Sequence, residues 1–102
     1  MNVVKDLHDL CIKNNITLSV AESCTSGRLA SMLTSLSGSS NYFRGGIIAY
    51  QNDIKINLLG VSKDIIRTQT DVCLDVAEQM SEGVRDKFLA DFSVATTGYA
   101  GP

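Results

Sequence analysis

The stretch TLSVAESCTSG, residues 17–27, joins a short β-prone run to a turn rich in hydroxyl groups. Residues 17–21 are few and mostly apolar or β-branched, which favours a buried strand. We predict that a helix follows the turn, capped by Thr25 or Ser26 and ended by Gly38. Its apolar face is indicated by leucines that recur at three- and four-residue steps, namely Leu29, Leu33 and Leu36.

The segments on either side predict more elements of the same two kinds. In chain order they are a helix over residues 2–14, a strand over 47–50, a helix over 53–59, a helical turn from residue 62, a longer helix capped by Thr70 or Asp71, and a strand over 92–96. Helices that alternate with apolar strands are typical of an α/β fold. We therefore predict a three-layer α/β/α sandwich with a mixed, mostly parallel sheet, formed by one domain over residues 1–102. Because the chain ends on a turn where such a fold continues, we expect its last strands and helix to be missing.

The composition argues against several classes of function. The 102 residues carry a net charge of −2 and no cluster of Lys and Arg, which argues against nucleic-acid binding. No apolar run approaches the roughly 20 residues of a membrane helix, and the N-terminus lacks a signal-peptide core, so we expect a cytoplasmic protein. The three cysteines form no CxxC pair, which predicts reduced thiols and no metal. A thin core predicts a homo-oligomer.

Ser23 stands at the predicted junction of strand and helix. The carboxyl ends of strands are where α/β sheets bind ligands. The free N–H groups of a helix start also suit a phosphate or an oxyanion. A structural alternative remains open, because Ser and Thr are common helix caps. A serine nucleophile would in addition need a base.

Two residues are candidates for that base. His8 is the single histidine and lies in the first helix, where we expect it to face solvent. Lys55 follows a strand end, and a lysine must be desolvated or near another cation to act as a base; its alternative is a solvated helix lysine. Cys24 is a competing nucleophile, because a helix N-terminus activates a thiol. Cys11 and Cys73 are expected on apolar helix faces in the core.

Five segments together resemble motifs of the CinA C-terminal domain family, in the same order and with similar spacing. Residues 21–27, AESCTSG, resemble the family's AESCTGG, and residues 38–46, GSSNYFRGG, resemble GSS-x-(W/Y)-F-x-x-G. Residues 50–55, YQNDIK, resemble Y-(S/T)-N-x-x-K. Residues 59–61 are the family's LGV, and residues 97–102, TGYAGP, resemble TG-I-AGP. On these motifs the chain is identified as a member of the family.

This resemblance implies an activity. Members of the family hydrolyse the amide of nicotinamide mononucleotide to nicotinic acid mononucleotide and ammonia, in bacterial NAD recycling, and the resemblance implies neither a metal nor a cofactor. It implies a catalytic dyad of Ser23 and Lys55. Tyr50, which ends the predicted second strand, is a further catalytic candidate that could pass a proton to the leaving ammonia or stack on an aromatic ring; its alternative is a half-buried sheet residue. The residues then expected to bind the substrate are Glu22, Thr25, Gly27, Asn52, Thr97, Gly98 and Gly101.

The sequence departs from the family pattern at several points. Ser26 replaces the second glycine of AESCTGG, residues 70–73, TDVC, stand where the family has GAVS, and Tyr99 replaces an aliphatic residue. The family also continues past the AGP turn into a KPVG-type strand and an arginine segment that help to close the substrate site. A second hypothesis is therefore a non-catalytic nucleotide-binding or assembly partner, or an inactive fragment.

Overall fold

The computed structural model describes residues 2–99, and Met1 and residues 100–102 lie outside the described part. Five α-helices, three β-strands and one 3-10 turn follow one another in these residues. They are α1 (Val3–Asn14), β1 (Leu18–Glu22), α2 (Arg28–Leu33), the 3-10 turn (Ser39–Asn41), β2 (Phe43–Ile48), α3 (Asn52–Leu59), α4 (Lys63–Thr68), α5 (Leu74–Phe88) and β3 (Phe92–Ala95). No helix in this part of the chain has the length and apolar character to span a membrane.

The three strands form a parallel sheet with β1 in the centre, in the order β2-β1-β3. The predicted second strand is displaced, since β2 covers Phe43–Ile48 and not residues 47–50. The two glycines at residues 45–46, which were expected to open the strand, lie inside it. A Cβ atom on Gly46 would approach Val20 Cγ2 to 2.6 Å. The glycine therefore allows β2 to lie close against β1.

One face of the sheet is covered by α5, which packs on all three strands and is itself covered by α3 and α4. The main core lies between these layers and consists of Ala21, Ala49, Leu59, Val61, Val76, Met80 and Val84. The approach of α3 to α5 is close enough that a Cβ atom on Gly83 would lie 2.0 Å from the Leu59 carbonyl oxygen. Glycine at this position is thus needed for α3 to dock.

The opposite face is covered less completely by α1 and α2. A smaller core of Cys11, Leu18 and Tyr42 lies there. An apolar groove of about 520 Å³ remains between the two helices and β3. In that groove Phe92 and Val94 are 59% and 47% exposed. The three layers of the predicted α/β/α sandwich are confirmed, and every described strand pair is parallel.

Several helix ends differ from the predictions. The N-cap of α2 is Gly27, not Thr25 or Ser26, and the helix ends at Leu33, well before Gly38. The N-cap of α5 is residue 73, so neither predicted cap starts that helix. The cause is that the Thr25 and Thr70 hydroxyls form hydrogen bonds within the loops and do not accept from the first amides of these helices. The Thr70 hydroxyl bonds within residues 70–72, and that of Thr25 bonds to a buried carboxylate.

The two cysteines expected in the core differ in their positions. Cys11 is buried in the smaller core, and burial raises the pKa of its thiol. Cys73 directly precedes α5, is half-buried and packs against the main core, as expected, with its thiol 3.5 Å from the Thr70 carbonyl oxygen. The prediction that Cys73 lies on a helix face was therefore wrong, because α5 starts later than the apolar pattern indicated.

Candidate active site

The candidate site lies at the carboxyl ends of β1 and β2, which are neighbours in the sheet. The pairing of the two strands extends one residue further, because the Ala49 N–H donates to the Glu22 carbonyl at 2.7 Å. Ser23 follows β1 directly and is 6% exposed. Its main-chain N–H donates to the Thr96 carbonyl at 3.1 Å, which joins it to the end of β3. Ser23 thus occupies the position where α/β sheets commonly bind ligands.

The loop of residues 22–27 is organised around the Glu22 carboxylate, which is 1% exposed. One carboxylate oxygen accepts from the Thr25 hydroxyl at 2.6 Å and from the Gly27 and Leu29 N–H groups at 3.2 and 2.9 Å. The other accepts from the Ala30 N–H at 2.9 Å. A side chain from the preceding strand therefore satisfies the first amides of α2.

These contacts set the ionisation of Glu22. Burial alone raises the pKa of a carboxyl group, but the bonds from Thr25, Ala30, Leu29 and Gly27 outweigh burial, and the pKa of Glu22 falls below its ordinary value of 4.5. The carboxylate also occupies the start of α2, where a phosphate or an oxyanion was expected. Glu22 itself, predicted to bind substrate, has both carboxylate oxygens engaged inside the protein.

Unengaged donors remain closer to Ser23. Within residues 2–99, the main-chain N–H groups of Cys24 and Thr25 donate to no acceptor, and the Ser23 hydroxyl has no hydrogen-bond partner. Ser26 and Gly27 both adopt left-handed backbone conformations, with φ of 52° and 98°. A Cβ atom on Gly27 would also lie 3.3 Å from Ile48 Cδ1, so both the backbone conformation and the lack of space favour glycine at this position.

Lys55 lies at the same edge of the sheet, in the first turns of α3. The side chain is 1% exposed, which excludes the alternative of a solvated helix lysine. Its amine donates to the Tyr50 carbonyl at 3.0 Å and approaches Asn52 Oδ1 at 3.5 Å. The amine and the Ser23 hydroxyl form no direct hydrogen bond. Tyr50 is 55% exposed at this edge.

The turn after β3 completes the third side of the site. Gly98 packs beside Cys24, because a Cβ atom on Gly98 would lie 3.2 Å from the Cys24 thiol. The Thr97 hydroxyl donates to the Asp71 carbonyl at 2.7 Å, which ties this turn to the loop before α5. Gly101, which was predicted to bind substrate, lies outside the described residues.

Thr96 is a site residue that the sequence interpretation missed. Its hydroxyl lies 2.8 Å from the Thr25 hydroxyl, and its carbonyl accepts from Ser23. The available signal was a hydroxyl residue at the end of a strand, beside Thr97. That signal gained meaning only once β3 was known to pair with β1.

His8 is not brought to Ser23. Its Nδ1 lies 2.9 Å from the Tyr42 hydroxyl, which in turn donates to the Leu33 carbonyl at 2.9 Å. His8 is half-buried by this contact, so the expectation that it faces solvent was wrong. Cys24 is half-buried beside Ser23 and keeps its place as the competing nucleophile. In the part of the chain that the structure describes, no group of three or more His, Cys, Asp or Glu could hold a metal.

Comparison with known proteins gives one consistent match. The sequence model of the family described as "CinA C-terminal domain" matches residues 1–102. The CinA-like protein of Flavobacterium psychrophilum is 47% identical over 96 residues, which are 94% of this chain and 23% of that protein. The CinA-like protein of Rippkaea orientalis is 54% identical over 86 residues, which are 84% of this chain and 21% of that protein.

Solved structures agree with the sequence match. The competence damage-inducible protein A (ComA) of Klebsiella pneumoniae aligns with a TM-score of 0.94 at 28% identity, over 97% of this chain and 62% of that chain. A CinA superfamily protein of Escherichia coli aligns with a TM-score of 0.93 at 32% identity, over 97% of this chain and 58% of that chain. The chain therefore spans about a quarter of the curated relatives and about three fifths of the solved chains.

Proposed function

The chain belongs to the CinA C-terminal domain family, and from that premise we propose that it is an amidohydrolase that deamidates nicotinamide mononucleotide. The products are nicotinic acid mononucleotide and ammonia. The observation that carries the proposal is the shared position of Ser23 and Lys55. Both side chains are buried, at 6% and 1% exposure, and both lie at the carboxyl edge of two neighbouring strands.

Ser23 is the proposed nucleophile and Lys55 the proposed base. In its unprotonated form, the Lys55 amine takes the proton of the Ser23 hydroxyl, and the oxygen forms a bond to the amide carbon. The amine reaches Ser23 by leaving the Tyr50 carbonyl, to which it donates in the structure. The amide oxygen becomes an oxyanion. The C–N bond then breaks, and ammonia leaves with the proton that Lys55 returns.

The oxyanion needs donors that are not already engaged. The N–H groups of Cys24 and Thr25 meet this condition, because within residues 2–99 they have no acceptor and they directly follow the nucleophile. The start of α2 does not meet it, since Glu22 occupies those amides. Water then attacks the ester carbon, its proton passes to Lys55, and the Ser23 hydroxyl is restored as the acid leaves.

The remaining site residues are proposed to hold the nucleotide. Tyr50 is exposed, and its ring offers a surface for the pyridine ring. The turn at Gly98 packs beside the nucleophile loop and offers main-chain N–H groups to the phosphate. Asn52 lies next to the Lys55 amine and is placed to orient it or the substrate amide.

The test is ammonia release from nicotinamide mononucleotide. Ser23→Ala and Lys55→Met should each lower the rate by on the order of 10³-fold or more, because each removes a group that acts in the chemical step. Methionine is chosen at position 55 because its volume avoids a cavity. Circular dichroism checks that both variants fold. Full turnover by either folded variant would refute the dyad.

A second candidate is a non-catalytic nucleotide-binding partner. The observation in its favour is that the Lys55 amine donates to Tyr50 and not to Ser23. Isothermal titration with nicotinamide mononucleotide separates the two candidates. Binding without ammonia release supports the partner, whereas ammonia release that is lost in Ser23→Ala supports the amidohydrolase.

A further inference from the structure

Three side chains form a continuous hydrogen-bond chain behind the nucleophile. The Thr25 hydroxyl gives its single proton to the Glu22 carboxylate, which can only accept. The contact of 2.8 Å between the Thr96 and Thr25 hydroxyls must then use the proton of Thr96. The order is therefore Thr96 to Thr25 to Glu22, and it crosses from the end of β3 to the end of β1.

We propose that Glu22 and Thr96 are positioning residues for Ser23, an inference that rests on the proposed function. Neither would touch the substrate. Glu22 would hold residues 23–27 from inside through the start of α2, and Thr96 would hold the same loop from the neighbouring strand. Ser23 directly follows Glu22 in the chain and is bonded to Thr96 through its N–H, so both attachments act on its position.

The loop needs such attachments because its own backbone is unfavourable. Ser26 and Gly27 are consecutive left-handed residues, and a left-handed serine persists only where its surroundings enforce it. Four donors converge on the Glu22 carboxylate, and bonds to a charged acceptor are stronger than neutral ones. Thr96 adds two further bonds, one through its hydroxyl and one through its carbonyl to the Ser23 N–H.

The same contacts separate this role from a direct catalytic one. Both Glu22 oxygens already accept from the protein and the residue is 1% exposed, so the carboxylate is not presented to a substrate as an acid or as a partner for the ribose. Loss of either positioning residue should therefore change how well Ser23 is placed in the transition state. Substrate affinity should change little.

The first experiment compares Thr96→Val with Thr96→Ser in the full chain, with nicotinamide mononucleotide as substrate. The valine variant keeps shape and carbonyl but loses the hydroxyl, and should lower kcat about five- to tenfold with KM unchanged. The serine variant restores the hydroxyl and should recover kcat to within about twofold. Equal kcat in all three proteins, or a loss confined to KM, would overturn the role of Thr96.

The second experiment replaces the carboxylate by an amide of the same shape. Glu22→Gln should lower kcat by on the order of 100-fold at unchanged KM, because its NH₂ group faces main-chain N–H donors. Glu78→Gln is the matched control, since Glu78 is exposed on α5, and should leave kcat unchanged. Rates are referred to the folded fraction from circular dichroism, so a loss by unfolding is not counted. A folded Glu22→Gln with wild-type kcat would overturn the role of Glu22.

Amide hydrogen exchange separates failure of this inference from failure of the proposed function. If the wild-type chain releases no ammonia, the proposed function fails. The loop is then judged alone: Glu22→Gln should speed exchange in residues 23–30 by about tenfold or more, with α5 amides unchanged. Unchanged exchange in residues 23–30 would overturn the positioning inference on its own terms.

Discussion

The two halves of the candidate site are built in different ways. The loop that carries Ser23 is held by a distant contact, the bond from the Ser23 N–H to Thr96 at the end of another strand, and by the Glu22 carboxylate, which binds amides of α2 seven and eight residues along the chain. The amine of Lys55 is held locally, by a carbonyl and a side chain only five and three residues away. The position of the nucleophile thus depends on the sheet, whereas the position of the amine depends on one short helix and its docking.

The largest effect is expected where α3 docks. Gly83→Ala would place a Cβ atom 2.0 Å from the Leu59 carbonyl oxygen, and α3 must shift to relieve the clash. We expect a loss of about 3 kcal/mol or more in the free energy of unfolding, measured by urea denaturation. Amide exchange in the folded variant should rise in residues 52–59 and stay unchanged in residues 22–27. Equal disturbance of both segments would contradict the independence of the two halves.

A matched pair of glycines compares the two halves directly. Gly27 caps the start of α2 and Gly60 the end of α3, both with positive φ. Gly27→Ala adds crowding against Ile48, whereas a Cβ atom on Gly60 meets nothing within 4 Å. We expect costs of about 2 kcal/mol at Gly27 and about 1 kcal/mol at Gly60 in urea denaturation. Equal costs would mean that the loop yields to the added methyl group.

Acid should weaken the loop half specifically. Since the pKa of Glu22 is lower in the folded chain than its ordinary value of 4.5, its contribution to stability is present above that pH and is lost as pH falls through the folded value. The urea midpoint of the wild-type chain should therefore drop on acidification. The drop in the urea midpoint should be smaller in Glu22→Gln than in the wild type, and in Glu78→Gln it should equal that of the wild type. Identical pH profiles for all three proteins would contradict the assignment of this effect to Glu22.

The smallest effect is expected at Ser26, where the sequence departs from the family's glycine. Its φ of 52° costs an ordinary residue about 1–2 kcal/mol, partly offset by the greater chain entropy of glycine. Ser26→Gly should therefore stabilise the chain by up to about 1 kcal/mol in urea denaturation. A destabilised variant would show that the weak bond from the Ser26 hydroxyl to the Ser23 carbonyl, at 3.4 Å, matters more than the strain.

What could be predicted from sequence follows the same division. Local patterns sufficed for α1, β1, β3 and for α3 with its Gly60 end, because periodicity and end signals act over neighbouring residues. They failed where a contact made only in the folded structure decided the outcome. The cap of α2 comes from Glu22, the glycines of β2 fit against Val20, and Thr96 gained a role only through strand pairing.

The positions of the site residues also include some that local patterns predicted and others that only the fold decided. Ser23 and Lys55 were expected to meet as a dyad. The structure has both buried at the carboxyl edge of the sheet, but the Lys55 amine donates to Tyr50 and not to Ser23, so the dyad stays a prediction. The partner of His8 could not be foreseen, because Tyr42 lies 34 residues away. Self-association and a cytoplasmic location stay predictions.

The most direct test is to trap the covalent intermediate. The chain is mixed with nicotinamide mononucleotide, quenched in acid and mapped by mass spectrometry, alongside Cys24→Ala and Ser23→Ala. We predict an acyl group of the nucleotide on Ser23 in the wild type and in Cys24→Ala, and none in Ser23→Ala. Ammonia release with the adduct on Cys24, or undiminished release from Ser23→Ala, would contradict Ser23 as the nucleophile.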